Sequence, residues 1–421
     1  MSHSKHPRWI IAAAAVGIHL SIGSVYAYSV WKLPLTSLTG WSETGVALGF
    51  SFAILSLGIT AAFSGRFIDR RHPRTNCLLA AALFGSGLVL SGLSAGAAFL
   101  PGFYLGYGLI GGMGLGLGYV APVSTLLRWF PDRRGLAAGL ATMGFGFGAM
   151  LAGPIISFQT ASLGVSGTFF LLGAIYFSIM AVSALFMKNP PQDWASRFSH
   201  TSAAADPNPL PGPAATPIPT PNSDSSPNAI MRSAPYRCLW MMFFLNILCG
   251  IALISIASPM AVDITGMTPK AAAAMVGAMG LFNGLGRIGW SAASDRIGRA
   301  QTWACFFLLQ ILAFGLLPGL TAPWAFQMAV FVILTCYGGG FATAPAYLGD
   351  LFGEKHLSAL YGMLLTAWAA AGLLGPMLIA WLRDRTGSYQ VLSALFAGFL
   401  CVGLLGLWRI SARTKCHPQN F

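Results

Sequence analysis

The chain reads as an all-α membrane protein of twelve transmembrane helices arranged in two six-helix, pseudo-symmetric halves. Three observations predict this. Hydrophobic residues make up 55% of the 421 positions and charged residues only 8%, against about 25% charged in an ordinary soluble protein. Apolar runs longer than about 18 residues, enough to cross a bilayer core, recur throughout. A proline-rich stretch then interrupts this pattern at mid-chain, and motifs on its two sides repeat.

The spans predicted from run length are 9–31, 43–66, 75–97, 101–128, 135–158, 165–188, 236–262, 270–293, 301–318, 322–349, 357–382 and 388–409. Residues 1–188 form the first six-helix bundle, 236–421 the second bundle with a short tail, and 189–235 the connection. That connection holds eleven of the 25 prolines, with many Ser, Ala and Asn. Such a composition buries too little apolar surface to fold and reads as a cytoplasmic linker. The amino terminus enters the first span with no cleavage motif of the secretory kind.

Lysine and arginine set the expected orientation. Nineteen of 24 fall at the termini, the linker and the loops on one side, and four (Lys32, Lys270, Arg383 and Arg385) on the other. By the positive-inside rule both termini and the linker are cytoplasmic, and a bacterial inner membrane is the expected location. The net charge of +13 follows from this distribution rather than from nucleic-acid binding. The cysteines Cys77, Cys238, Cys249, Cys305, Cys336, Cys401 and Cys416 form no CxxC and lie mostly in apolar runs, so reduced packing residues are expected. No metal site and no cofactor is expected. Gly106-Tyr-Gly-Leu-Ile-Gly111 matches GxGxxG but lies inside a span with no preceding strand, so close helix packing is the better reading.

The halves share register marks. Asp69 and Asp295 are 226 residues apart, Ala121-Pro122 and Ala344-Pro345 are 223 apart, and Gly153-Pro154 and Gly375-Pro376 are 222 apart. Repeats of this kind put a substrate site near the membrane midplane, between the halves.

Arg287, in the eighth span, is the residue that most needs an explanation. It lies eight residues before Asp295, about 12 Å along a helix axis, and so near mid-membrane. A cation there costs roughly 2.5–3.5 kcal/mol on insertion scales unless it meets water or an anion. Asn283, one turn earlier, shares its face. The planar guanidinium suits a carboxylate; the competing reading is a structural arginine held by backbone carbonyls. His19 is the one histidine deep in a span. It fits either a proton relay, since imidazole titrates near pH 6.5 when unperturbed, or neutral packing. Tyr28, Tyr119, Ser124, Tyr337 and Trp368 are candidate cavity residues, although membrane aromatics also serve packing. In the first span, Ser21, Ser24 and Tyr28 form one stripe and His19, Gly23 and Tyr26 another. Either stripe fits the cavity. Asp69, Arg70, Asp295, Arg296 and Arg299 form either an ion-pair latch on the cytoplasmic side or a topology signal with helix capping.

Gly65-xxx-Asp69-Arg70-xxx-Arg74 and its echo Ser294–Arg299 resemble the loop motif of the major facilitator superfamily, with His72-Pro73 departing from its usual form. The resemblance implies a twelve-helix fold, alternating access by rocking halves, and a latch role for the repeated charges. More narrowly, Gly23-Ser-Val-Tyr-Ala-Tyr-Ser-Val-Trp31, Arg128-Trp-Phe-Pro-Asp-Arg-Arg-Gly-Leu-Ala-Ala-Gly139 and Asn283-Gly-Leu-Gly-Arg287 resemble the oxalate:formate antiporter family and the related monocarboxylate transporters. That likeness implies that Arg287 binds a substrate carboxylate. Asn283 stands where proton-coupled relatives often carry an aspartate. Trp368 stands where oxalate carriers have a lysine, and the chain has no Lys or Arg between His356 and Leu382. One fixed cation favours a monocarboxylate over a dianion.

The expectation is therefore a secondary transporter, antiporter or symporter, of a formate-, lactate- or pyruvate-type anion. Oxalate/formate exchange and export of a hydrophobic compound are the alternatives. Its expected partners are the small carboxylate and the lipid bilayer, without nucleic acid, and it is expected to work as a monomer and not as an enzyme.

Overall fold

The structure is a computed structural model that describes residues 6–191, 194 and 226–415. Most of the predicted linker 189–235 lies outside the described residues, as does Cys416. Among the described residues, eleven helices are long and apolar enough to cross a membrane. One of them, Arg134–Phe186, runs for 53 residues, about 80 Å at 1.5 Å per residue and so enough for two crossings. It breaks at Gly164, whose φ of 69° and ψ of 175° are not helical. The predicted fifth and sixth spans thus meet at one glycine.

Local chemistry explains most of the ends. Ser42 caps Glu43–Arg70 by accepting from the Gly45 amide at 3.0 Å. Ser233 and Thr268 do the same for Ala234–Thr265 and Pro269–Ile297, accepting from Tyr236 at 3.4 Å and Ala271 at 3.3 Å. Proline occupies the first turn of Pro73–Gly96, Pro269–Ile297 and Pro323–Phe352, where its missing N–H costs nothing. The first spanning helix runs to Thr39 and stops at Gly40 (φ 70°), eight residues past the predicted end. Lys32 does not end it, because its ammonium pairs with Glu43 at 2.6 Å. The fourth span contains a π-helical stretch, Tyr104–Gly111, that no periodicity in the sequence announces.

Two compact units form. The first comprises Met1–Asp132, Leu140–Arg197 and His356–Ala369. Here glycine permits close helix contact: a Cβ on Gly114 would lie 2.5 Å from the Phe84 nitrogen, and Gly362 sits directly on the Ala61 carbonyl. The second comprises Arg133–Gly139, Phe198–Lys355 and Ala370–Phe421. Its interior holds a polar pair: Gln310 Nε2 donates to Asn246 Oδ1 at 2.8 Å and to the Phe306 carbonyl at 3.1 Å, while Asn246 Nδ2 donates to the Cys336 carbonyl at 3.5 Å. These bonds tie Ala234–Thr265, Arg299–Leu316 and Pro323–Phe352 together. The six described cysteines form no disulfide among the described residues.

Candidate functional site

In the second unit, Arg287 is fully buried on Pro269–Ile297. Its Nε donates to Asn283 Oδ1 at 3.4 Å, and its guanidinium carbon lies 4.7 Å from the centre of the Phe341 ring. The Arg287 carbonyl accepts from the Ser291 hydroxyl one turn on. Glycines bring the neighbouring helix Pro323–Phe352 against this face: a Cβ on Gly286 would meet the Thr335 backbone at 2.6 Å, and one on Gly338 would meet Asn283 Oδ1 at 2.6 Å. Asn283 and Arg287 thus form a fork and an amide side by side, with an aromatic face beneath the cation. Tyr337, from the same neighbouring helix, is fully buried, lies against Gly250 and meets the Phe341 ring edge-on at 5.3 Å.

In the first unit, three predicted residues come together. Trp368 is fully buried, with ring contacts to Tyr119 at 5.4 Å, Phe145 at 5.5 Å and Tyr26 at 6.1 Å. His19 meets Tyr119 edge-on at 5.1 Å, and its Nδ1–H donates to the Ala15 carbonyl at 3.1 Å. A carbonyl only accepts, so Nδ1 carries the proton. The stripe of the first span that meets this aromatic group is therefore that of His19, Gly23 and Tyr26. Ser21 and Ser24 instead donate to the Gly17 and Ser21 carbonyls of their own helix, at 3.0 and 2.7 Å. Tyr28 lies in another group, its ring 4.9 Å from Tyr107 and 5.6 Å from Phe50 and its hydroxyl donating to the Val46 carbonyl. Tyr26, Phe145 and Tyr361, which lies 6.3 Å from Tyr119, join the site candidates.

The repeated aspartates do the same work in each unit. Asp69 accepts from the backbone amides of Ser358 and Ala359 at 3.3 and 3.1 Å, and pairs with Arg128 at 2.8 Å. Asp295 accepts from the amides of Gly135 and Leu136, both at 2.8 Å, and pairs with Arg299 at 2.7 Å. Each carboxylate covers orphan N–H groups at the start of a helix distant in sequence, where the helix dipole favours an anion. Arg299 also bonds Asp350 at 2.8 Å, and Arg134 bridges Asp350 at 3.1 Å and Glu354 at 2.6 Å. Arg70 and Arg296 are exposed and make no ion pair among the described residues. The pairing falls to Arg128, Arg134, Asp350 and Glu354, which loop-motif reasoning passed over. The signal was present: Asp350 and Glu354 lie four apart at the end of a span, and acidic residues are scarce in this chain.

Comparison with known proteins gives a consistent picture. The family model described as Major Facilitator Superfamily matches residues 13–335 and again 239–419. The chain is similar to the oxalate:formate antiporter of Oxalobacter formigenes, with 26% identity over 383 residues, 90% of this chain and 86% of that one. It is similar to monocarboxylate transporter 12 of Xenopus laevis, with 26% identity covering 81% of this chain and 75% of that one. Its fold matches the crystal structure of the human organic anion transporter MFSD10 with a TM-score of 0.71 at 15% identity, over 96% of this chain and 100% of that one.

Proposed function

Because the chain belongs to the major facilitator superfamily, we propose that it is a secondary active transporter of a small monocarboxylate of the formate, lactate or pyruvate type. The substrate carboxylate pairs with the guanidinium of Arg287, and alternating access carries it across the membrane, with both termini cytoplasmic and the monomer as working unit. The observation that carries this reading is Arg287 itself, a fully buried cation eight residues inside its helix from Asp295, with Asn283 on its Nε and Phe341 against its plane. A fork of this kind takes a carboxylate through two parallel N–H···O bonds. No covalent step is needed; binding energy has only to differ between the two access states.

The likeness to an oxalate:formate antiporter supports exchange of oxalate for formate as a second reading. Trp368 weighs against it: an indole among Tyr26, Tyr119 and Phe145 offers no second cation for a dianion.

Uptake of labelled formate, lactate, pyruvate and oxalate into proteoliposomes decides between them, measured with and without internal anion and at two external pH values. Uptake of one monocarboxylate that vanishes in Arg287→Ala is the expected result. Dependence on internal anion marks antiport, and dependence on pH marks proton symport. Uptake of oxalate alone would overturn the monocarboxylate assignment, and full activity of Arg287→Ala would overturn the anchor.

A further inference from the structure

The helix Ala234–Thr265 begins beside the point where Tyr389–Lys415 nears its end, and the two pack along their length. Between them lies a groove of about 650 Å³ lined by Arg237, Cys238, Met241, Val402, Leu405 and Arg409, among others. The helices run antiparallel, so both arginines sit at the same end of their spans. Arg237 is four residues into its helix, and Arg409 is the last but one residue of the apolar stretch Tyr389–Ile410. From there the lining turns apolar and outward: Met241, Val402 and Leu405 are 42%, 50% and 61% exposed. Gly406 keeps the wall low, since a Cβ there would already touch Met242 at 3.4 Å.

Charge sets the character of this groove. Both arginines are exposed, neither forms an ion pair among the described residues, and no Asp or Glu lines the groove. Arg128, Arg134 and Arg299 near helix ends are paired with carboxylate and exposed Arg70 and Arg296 are not; what is particular here is that two such cations share one groove. Two unpaired guanidinium groups at the membrane boundary, above an apolar channel that faces the hydrocarbon, complement an anionic head on an apolar tail.

We propose that this groove is a binding site for an anionic phospholipid, with the phosphodiester between Arg237 and Arg409 and an acyl chain along Met241, Leu405 and Val402. The phosphate accepts N–H bonds from both forks. The chain fills a surface that a zwitterionic lipid reaches equally well, so the arginines supply the preference for negative charge. An arginine at an anionic interface contributes roughly fivefold to binding, so the pair gives about a 30-fold preference.

The test is native mass spectrometry of the delipidated full-length protein in detergent, titrated with phosphatidylglycerol and phosphatidylcholine of identical chains. The expected result is one saturable phosphatidylglycerol site with about a 30-fold preference, lost in Arg237→Gln/Arg409→Gln. Arg71→Gln/Arg74→Gln removes the same charge from exposed positions elsewhere, and should keep the preference. Gly406→Leu fills the groove while leaving both cations, and should weaken binding of both lipids. Size-exclusion profiles establish that each variant is folded. Equal loss of preference in the two double variants would overturn the site, because net charge alone would then explain it. Displacement of the lipid by inorganic phosphate at matching concentration would also overturn it, because the acyl chain would then contribute nothing.

Discussion

Replacing Asp295 by Asn tests the carboxylate–amide contact with little change in shape. The carboxylate accepts two backbone bonds at 2.8 Å and one guanidinium bond at 2.7 Å, with its side chain 15% exposed. Bonds to a charged acceptor contribute about 1.5–3 kcal/mol each. Asn keeps one acceptor oxygen but turns an NH2 toward a second donor, so about 2–4 kcal/mol is at stake before solvent screening. Partial exposure reduces this to about 1–2 kcal/mol, a shift of roughly 5- to 30-fold between the state with this contact and any state without it. Ser291 reports that shift, because it is fully buried and its hydroxyl lies against Gly139. With Cys238, Cys305, Cys401 and Cys416 replaced by Ser, the maleimide labelling rate of Ser291→Cys measures how often the helix start at Gly135–Gly139 leaves this face. Asp295→Asn should raise that rate by roughly 5- to 30-fold. An unchanged rate in folded, transport-competent protein would refute the reasoning, since the carboxylate would then contribute nothing to holding that helix start in place.

Three other outcomes follow from the same geometry. Arg287→Lys keeps the charge but loses the fork and the flat face on Phe341, so substrate KM should rise at least about tenfold; an unchanged KM would show that charge alone suffices. Asn246→Leu removes the acceptor of the 2.8 Å bond from Gln310 and should cost about 1 kcal/mol in detergent melts. Adding Gln310→Leu should recover part of that loss, and strict additivity would show the pair is uncoupled. Trp368→Ala removes an indole in contact with Tyr26, Tyr119 and Phe145, and should lower the melting temperature and admit bulkier monocarboxylates to competition assays; unchanged selectivity would confine Trp368 to packing.

Run length and the lysine and arginine distribution made the twelve crossings legible, because in a bilayer the cost of exposing polar backbone leaves the chain little choice. Arg287 was legible for a related reason: a charge within an apolar run needs an explanation. The two first-span stripes were not separable by sequence, since each carries hydroxyls and small residues. The difference lies in which hydroxyls are satisfied within their own helix, as Ser21 and Ser24 are. Tyr28 has the sequence neighbourhood of a cavity residue, and the structure places its ring with Tyr107 and Phe50 and its hydroxyl on the Val46 carbonyl. The π-helical stretch Tyr104–Gly111 arises where Gly87 lies against Gly106 and Gly111, a tertiary contact with no local signature. Arg70 and Arg296 looked like latch residues from the motif, yet they are exposed and form no ion pair among the described residues, while their neighbours Asp69 and Asp295 bind helix starts.

What Asp69 and Asp295 hold are main-chain amides, and this makes the two sides of each contact unequal before mutation. Almost any residue supplies the N–H, so conservative side-chain changes at Ser358, Ala359 or Leu136 leave the bond intact, whereas proline deletes it. The aspartate has no such redundancy, because a single change there alters both amide contacts at once. A library of transport-defective variants should therefore be rich in changes at the two acids and, among the four amide donors, poor in anything but proline. Gly135 is the exception: a Cβ there would lie 2.6 Å from Asp295 Oδ1. Second-site revertants of the acidic changes should map to the charged partners Arg128 and Arg299 and not to the helix starts, so the contact can drift in sequence on one side while staying fixed on the other.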